Sequence, residues 1–156
     1  MARALSFDPM LGSRCPWACE PVRPGSDPFA ECVLATSQYI AVVDDEDSVC
    51  RALKRLLQSE GFEVETFGSA AAFLESLTRR VPSCVVLDHH MPAMTGLELL
   101  SRLNTMPERL PVIFITGHDS PELRRCALAN GASVYLRKPV DQQELFDAVN
   151  CYSADR

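Results

Sequence analysis

The stretch Tyr39-Ile-Ala-Val-Val-Asp-Asp-Glu46 decides the fold, because a short apolar run ends abruptly there in three acidic residues. A run of five apolar residues is typical of a strand that is buried on both faces of a sheet. Comparable runs occupy 84–87 and 111–115, and each of these is followed directly by a polar residue, Asp88 or Thr116. We therefore predict that these runs are inner strands of one sheet.

Amphipathic segments separate the apolar runs. Residues 48–60 place Leu53 and Leu57 on one helical face, and Gly61 supplies a C-terminal stop. We predict strands over 39–43, 62–67, 84–87, 111–115 and 133–136, and helices that begin near Ser48, Ser69, Gly96, Ser120 and Asp141. This alternation predicts an α/β fold with a single doubly wound, five-stranded parallel sheet and helices on both of its faces.

Composition narrows the classes of function. The chain has 156 residues, of which 47% are hydrophobic and 23% charged, and these proportions exclude a mostly disordered protein. Its net charge of −6 offers little attraction to a phosphate backbone, so we expect no direct nucleic acid binding. No stretch reaches the roughly 18 apolar residues of a membrane span, and no secretory signal pattern starts the chain. We therefore expect no membrane association and a cytoplasmic location.

The cysteines and the first 38 residues carry no clear chemistry. Cys50, Cys84 and Cys126 fall within apolar patterns, where we expect buried free thiols that suit a reducing cytoplasm. Residues 1–38 contain five of the eleven prolines and show no periodicity, so we predict a Pro-rich, disordered extension. A metal or redox site built on its three cysteines is the alternative, but structural zinc requires four ligands.

Polar residues that follow the predicted strands indicate a functional site. In an open α/β sheet, the functional crevice lies at the carboxyl ends of the strands. Four strand ends supply carboxylates, a hydroxyl and one of the only two lysines of the chain: Asp44, Asp45, Asp88, Thr116 and Lys138. An aspartate or threonine after one strand is ordinary turn chemistry, but their joint occurrence at four strand ends is not.

These residue types suit phosphoryl chemistry beside a cation. Two carboxylates about 4 Å apart repel each other by roughly 4 kcal/mol at an effective dielectric constant of 20. A divalent cation relieves that repulsion, and Mg²⁺ prefers such oxygen ligands. The cation, a lysine and a hydroxyl then form a cradle for a phosphoryl group, and one carboxylate can act as the nucleophile and become an aspartyl phosphate.

Four motifs occur in an order and at a spacing that match a known family. They are Val42-Val-Asp-Asp-Glu46, Leu87-Asp-His-His-Met-Pro-Ala-Met-Thr-Gly-Leu-Glu-Leu99, Ile115-Thr-Gly-His118 and Lys138-Pro139. Together they resemble the receiver domain of bacterial two-component response regulators, and the third looks most like FixJ-type receivers. The resemblance covers 39–152 and implies the flavodoxin-like strand order 2-1-3-4-5. It also implies a phosphoaccepting switch that is not an enzyme, beyond catalysing its own phosphorylation and dephosphorylation.

The resemblance implies a role for each matching residue. Asp88 is the expected phosphoacceptor, and Lys138 is the expected partner of the phosphoryl oxygens. The expected Mg²⁺ ligands are Asp44, Asp45, Asp88 and the backbone carbonyl of His90. Thr116 is expected to bond the phosphoryl group and to switch conformation together with Tyr135. The peptide bond between Lys138 and Pro139 is expected to be cis.

Two histidines after Asp88 depart from the family, in which the position of His89 is usually apolar. The plain interpretation is that His89 and His90 are exposed loop residues. A sharper hypothesis is that His90 steadies the phosphoryl group and alters its lifetime. A transition-metal site of His89, His90 and His118 is disfavoured, because adjacent side chains in an extended segment point in opposite directions.

Two other functional classes remain open. A phosphorylation-independent protein-binding module of this fold usually loses an acidic residue, the threonine or the lysine, and this chain keeps them all. A phosphatase of the haloacid dehalogenase type has a second aspartate two residues after its nucleophile, where this chain has His90. The expected partners are a sensor histidine kinase or histidine phosphotransfer protein, and a downstream protein effector or a second copy of the chain. We expect no output domain, because the chain ends soon after the last helix.

Overall fold

A computed structural model describes residues 39–153, in which five helices flank one five-stranded sheet. In chain order the elements are β1 (Tyr39–Val43), α1 (Asp47–Ser59), β2 (Glu63–Phe67), α2 (Ala70–Ser76), β3 (Cys84–Asp88), α3 (Gly96–Asn104), β4 (Val112–Thr116), α4 (Pro121–Ala129), β5 (Val134–Arg137) and α5 (Gln142–Ser153). The predictions for residues 1–38, a disordered extension or a cysteine site, lie outside the described residues. Within the described part, each helix is too short or too polar to cross a membrane.

The strand order is β2-β1-β3-β4-β5, and all four strand pairs are parallel. This confirms the α/β class and the order 2-1-3-4-5. Every residue of β1, β3 and β4 is buried, as their unbroken apolar sequences predict for inner strands. Val43 pairs with Leu87, and Asp88 pairs with Ile115. The carboxyl ends of these three parallel strands therefore lie together at one end of the sheet. The polar residues that follow them therefore collect there.

The sheet separates two hydrophobic layers. Val43 and Phe114 belong to the layer covered by α2, α3 and α4, whereas Val42 and Ile113 belong to the layer covered by α1 and α5. Neighbouring residues of one strand enter opposite layers because side chains alternate along a strand. Helices on both faces confirm the doubly wound arrangement.

Helix boundaries follow local chemistry. The Ser69 and Ser120 side chains accept hydrogen bonds from backbone amides three residues further on, as expected of N-caps. Asp141 caps α5 by accepting hydrogen bonds from two backbone amides. Thr95 and Glu98 form a capping box at the start of α3, which the sequence patterns did not single out.

Cysteine burial follows the prediction at two positions and contradicts it at a third. Cys50 and Cys84 are free and buried, and burial raises the pKa of the Cys84 thiol to about 12. Cys126 is exposed, so the expectation that it is buried was wrong. The next residue of α4, Ala127, fills the inward position, and adjacent helical residues point about 100° apart. The few apolar residues of α4 do not reveal its orientation.

A polar cluster lies at the amino-terminal ends of the strands, opposite to the carboxylates. Tyr39 is fully buried, and its hydroxyl donates to the backbone oxygen of Arg80 at 3.1 Å. The Arg80 guanidinium lies 4.1 Å from the Tyr39 ring centroid and donates to both Glu63 carboxylate oxygens, at 2.6 and 3.0 Å. This cluster ties β1 and β2 to the segment before β3.

Candidate functional site

Three carboxylates meet at the carboxyl ends of β1 and β3. Asp88 is the last residue of β3, and Asp44 and Asp45 directly follow β1. One oxygen from each carboxylate lies within 4.8 Å of the other two. Asp44 and Asp88 are 3% and 5% exposed, whereas Asp45 is exposed. The structure thus brings together the three side chains that the sequence places at a cation site.

Asp44 is fixed through both its backbone and its side chain. Its backbone oxygen accepts a hydrogen bond from the Cys50 thiol at 3.2 Å, and its Oδ1 accepts one from the Glu46 amide at 2.9 Å. Burial, reinforced by the charge of Asp88, raises the pKa of Asp44, although the Glu46 amide and Lys138 act in the opposite direction. A cation at this position stabilises the charged form of such a carboxyl group.

Lys138 links the two buried carboxylates. Its Nζ lies 2.9 Å from Asp88 Oδ1 and 3.1 Å from Asp44 Oδ2. Its backbone amide donates to Thr116 O at 2.8 Å, and the Lys138–Pro139 peptide bond is cis, as expected. Burial lowers the pKa of Lys138, but the hydrogen bonds to Asp88 and Asp44 outweigh it, so the pKa is raised. The ammonium therefore stays charged at neutral pH.

The donor set fits Mg²⁺. Hard carboxylate oxygens are the ligands that this ion prefers, and the exposed Asp45 leaves one side of the cluster open to the waters that Mg²⁺ retains. When all three carboxylates are ionised, three negative charges face the one positive charge of Lys138. A divalent cation balances the difference.

Thr116 is fully buried at the end of β4, and its hydroxyl is engaged within its own loop. Oγ1 donates to the backbone oxygen of His118 and accepts from the His118 amide, both at 3.1 Å. A hydroxyl has a single hydrogen to donate. Thr116 must therefore release the His118 carbonyl before it can donate to a phosphoryl group at Asp88.

Tyr135 lies in β5 and is 9% exposed, and its ring stacks on that of Phe114 at a centroid distance of 5.9 Å. Its hydroxyl donates to Asp119 Oδ1 at 3.0 Å, and the Arg124 guanidinium lies 5.6 Å from the ring centroid. Burial, followed by the hydrogen bond to Asp119, raises the pKa of Tyr135 to about 12. The hydroxyl therefore remains a donor at neutral pH.

Comparison with known families agrees with this geometry. Residues 40–150 match the model of the response regulator receiver domain. The chain belongs to this family. Receiver domains are generally signalling modules rather than enzymes, and they typically bind Mg²⁺ at an acidic pocket.

Three relatives show how far the likeness extends. Nodulation protein W of Bradyrhizobium diazoefficiens is 41% identical over 115 residues, which cover 74% of this chain and 51% of that protein. Transcriptional regulatory protein FixJ of Azorhizobium caulinodans is 40% identical over 116 residues, which cover 74% and 55%. A crystal structure of a response regulator receiver protein from Burkholderia phymatum matches with 40% identity and a TM-score of 0.67, covering 76% and 97%. The chain spans about half the length of the curated relatives it matches.

His89 of this receiver domain is half-buried, which corrects the expectation of an exposed loop residue. Its ring centroid lies 5.7 Å from that of Phe114. Its Nδ1 is buried and has no hydrogen-bond partner among residues 39–153. Burial, reinforced by the nearby His90, lowers the pKa of His89, so its ring is neutral at neutral pH. His90 is exposed, as the sequence suggested.

We expect His89→Phe to raise the free energy of unfolding by about 1 kcal/mol, because it removes an unsatisfied buried nitrogen and keeps the contact with Phe114. Chemical denaturation at pH 7 measures the change. The exposed neighbour provides a matched control, since His90→Phe should change stability by no more than about 0.5 kcal/mol. A less stable His89→Phe variant would contradict the assignment of Nδ1 as an unsatisfied group.

The histidine rings form a row beside the carboxylates. The His90 ring centroid lies 4.8 Å from that of His89 and 5.1 Å from that of His118. Within 39–153, the aspartate trio is the one group of three or more histidine, cysteine, aspartate or glutamate side chains whose ligand atoms converge. A metal site of histidines therefore gains no support. Asp45, His89 and His90 help to line an open cleft of about 440 Å³. The expected roles of the His90 carbonyl and side chain stay predictions.

Gly96 is a site residue that sequence reasoning missed. As the first residue of α3, it packs directly against the end of β3, and its amide donates to His89 O at 3.0 Å. A Cβ at this position would collide with the backbone oxygen of Asp88 and lie 2.9 Å from His89 Cα. Only glycine allows this approach. In the sequence, its sole signal is its place in the motif that follows Asp88.

Proposed function

We propose that this receiver domain takes a phosphoryl group from a phosphohistidine onto Asp88, with Mg²⁺ held by Asp44, Asp45, Asp88 and the His90 carbonyl. The donor is a sensor histidine kinase or a histidine phosphotransfer protein in the cytoplasm. The observation that carries the proposal is the convergence of three carboxylates on Lys138, whose Nζ lies 2.9 Å from Asp88 Oδ1. Carboxylate nucleophile, cation ligands and phosphate-binding ammonium are the parts that phosphoryl transfer needs.

Different residues of the site have different roles in the phosphoryl transfer. An Asp88 oxygen attacks phosphorus as the bond from phosphorus to the imidazole nitrogen breaks, so the histidine keeps the electron pair and an acyl phosphate forms. Lys138 holds a positive charge beside the attacked group and can follow its oxygens. Bound Mg²⁺ supplies the positive charge that stabilises the transferred oxygens.

Conformational switching follows from the charge that phosphorylation adds. The phosphoryl group of an aspartyl phosphate at Asp88 carries roughly two negative charges and has strong acceptor oxygens. Thr116 can donate to one of these oxygens once its hydroxyl releases the His118 carbonyl. Shifting an equilibrium from 1:99 to 99:1 requires about 5.5 kcal/mol, more than one hydroxyl bond provides. Lys138 and a rearranged Tyr135 supply the remainder. The surface of α4, β5 and α5 then presents the change to a protein effector or a second copy of the chain.

Acetyl phosphate with Mg²⁺ tests the proposal, with the adduct followed by intact mass. We expect one adduct in the wild type, none without Mg²⁺ and none in Asp88→Asn. Asp47→Asn is the matched control, because Asp47 lies in the first turn of α1 outside the carboxylate trio. Labelling that persists in Asp88→Asn would contradict the assignment, and absence of labelling in the wild type would favour a phosphorylation-independent binding module.

Two further measurements test the alternatives. Repeated turnover of a phosphomonoester would indicate a phosphatase. A changed adduct lifetime in His90→Asn between pH 6 and 8 would support the hypothesis that His90 steadies the phosphoryl group.

A further inference from the structure

The backbone of Asp44 is held from two sides. Its amide donates to the backbone oxygen of Phe67, the last residue of β2, at 3.1 Å. Its own carbonyl oxygen accepts a hydrogen bond from the Cys50 thiol at 3.2 Å. The sequence pattern accounts for Cys50 only as a small apolar residue of α1, and it gives no reason for a bond to an expected cation ligand.

The bond from Cys50 restrains the peptide unit that joins two neighbouring aspartates. The carbonyl of Asp44 and the amide of Asp45 belong to one planar unit, because the C–N bond between them has partial double-bond character. A hydrogen bond to the Asp44 oxygen therefore restrains the plane of this unit and the direction in which the chain continues. The Asp45 side chain is exposed, so its position depends on the backbone that carries it.

Cys50 is itself firmly held. It is 6% exposed and packs in the hydrophobic layer on the α1 side of the sheet. Its amide donates to Glu46 O at 3.0 Å, which fixes it at the start of α1. Burial raises the pKa of the thiol, so at neutral pH the sulfur keeps the hydrogen that it donates. Because close packing restricts rotamer changes in a core, the thiol stays directed at the Asp44 oxygen.

We propose that Cys50 is a positioning residue for the cation site, and that its thiol orients the peptide unit between Asp44 and Asp45 so that both carboxylates face Mg²⁺. This inference rests on the proposed function and deepens it, because it names a group outside the carboxylate trio that sets the affinity for the cation. Cys50 acts through the backbone of Asp44 and not as a ligand.

The expected effect is that of one weak hydrogen bond, since a thiol is a weak donor. Cys50→Ala should weaken Mg²⁺ binding by about three- to fivefold. Cys50→Val should weaken it to a similar extent, because valine fills the space of the sulfur but has no hydrogen to donate. Cys50→Ser should stay within about twofold of wild type, because its hydroxyl can donate to the same oxygen. Serine and alanine differ by one oxygen atom, so their comparison isolates the donor.

The experiment titrates the full chain with Mg²⁺ and follows the backbone amides of Asp45 and Glu46 by NMR. Cys84→Ala is the matched control, because Cys84 is also free and buried but begins β3, at the opposite end of that strand from Asp88. Urea denaturation of each variant accompanies the titration. We expect a loss of stability at both cysteine positions, and a loss of Mg²⁺ affinity at Cys50 alone.

The rate of adduct formation with acetyl phosphate gives a second measurement. When Mg²⁺ is well below saturation, Cys50→Ala and Cys50→Val should form the Asp88 adduct about three- to fivefold more slowly than wild type. Saturating Mg²⁺ should restore the rate, because Cys50 sets the affinity for the cation and does not touch the phosphoryl group.

Each other outcome has a defined meaning. Wild-type Mg²⁺ affinity in Cys50→Ala and Cys50→Val, or serine as weak as alanine, would overturn the role of Cys50 and leave the proposed function intact. An equal loss of affinity in Cys84→Ala, or a rate that stays low at saturating Mg²⁺, would overturn it too. A wild type whose amides ignore Mg²⁺ and that acetyl phosphate does not label would overturn the proposed function and this inference with it.

Discussion

In the variant Lys138→Met, we expect the free energy of unfolding at pH 8 to fall by about 3 kcal/mol in the absence of Mg²⁺. Methionine keeps the length of the side chain but removes the charge that lies 2.9 Å from Asp88 and 3.1 Å from Asp44. Two almost fully buried carboxylates then face each other without compensation. Urea denaturation measures the loss. Lys54→Met, at the other lysine of the chain, should change stability by about 0.5 kcal/mol or less.

The loss in Lys138→Met should depend on pH and on Mg²⁺. Burial already raises the pKa of Asp44 above 3.8, and removing the ammonium raises it further. A carboxyl group whose pKa is raised by folding binds more protons in the folded state, so its contribution to stability declines as pH rises through that range. The difference from wild type should therefore be smaller at pH 5 than at pH 8, and Mg²⁺ should restore part of it. Equal losses at both pH values would contradict this account.

The second large effect is expected for Gly96→Ala, which should lower the free energy of unfolding by about 3 kcal/mol. The added Cβ meets backbone atoms of Asp88 and His89, and backbone cannot move aside as the end of a flexible side chain can. Because α3 would have to shift against the end of β3, we also expect weaker Mg²⁺ binding at Asp88. Denaturation and titration calorimetry measure the two changes.

Gly68→Ala is the matched control for Gly96→Ala. No atom lies within 4 Å of a Cβ placed at Gly68, so we expect both stability and Mg²⁺ affinity to stay close to wild type. If Gly96→Ala behaved like Gly68→Ala, the start of α3 would have more freedom than its contacts with Asp88 indicate.

The sequence could place the carboxylates and the lysine because one topological rule governs them. Asp44 and Lys138 are 94 residues apart, yet each follows a strand of the same parallel sheet, and such strands end on the same side. The alternation of apolar runs and amphipathic segments also predicts the doubly wound class. These features depend on strand direction and periodicity, which local sequence encodes.

Side-chain detail could not be predicted in the same way. The burial of His89 depends on its packing against Phe114, a residue of another strand, and the exposure of Cys126 depends on the rotation of α4. The contact between Asp119 and Tyr135 depends on the path of a loop. None of these has a period or a motif, because each results from the way separate elements meet.

The cluster of Tyr39, Arg80 and Glu63 has a consequence for how this protein can vary. It lies at the far end of the strands, and five residue steps of extended chain, roughly 16 Å, separate Tyr39 from Asp44. We expect a substitution there to change the fraction of molecules that are folded but to leave the carboxylates and Lys138 in their places. Mutations in this cluster would then change the cellular amount of folded protein without altering the carboxylate site of each molecule.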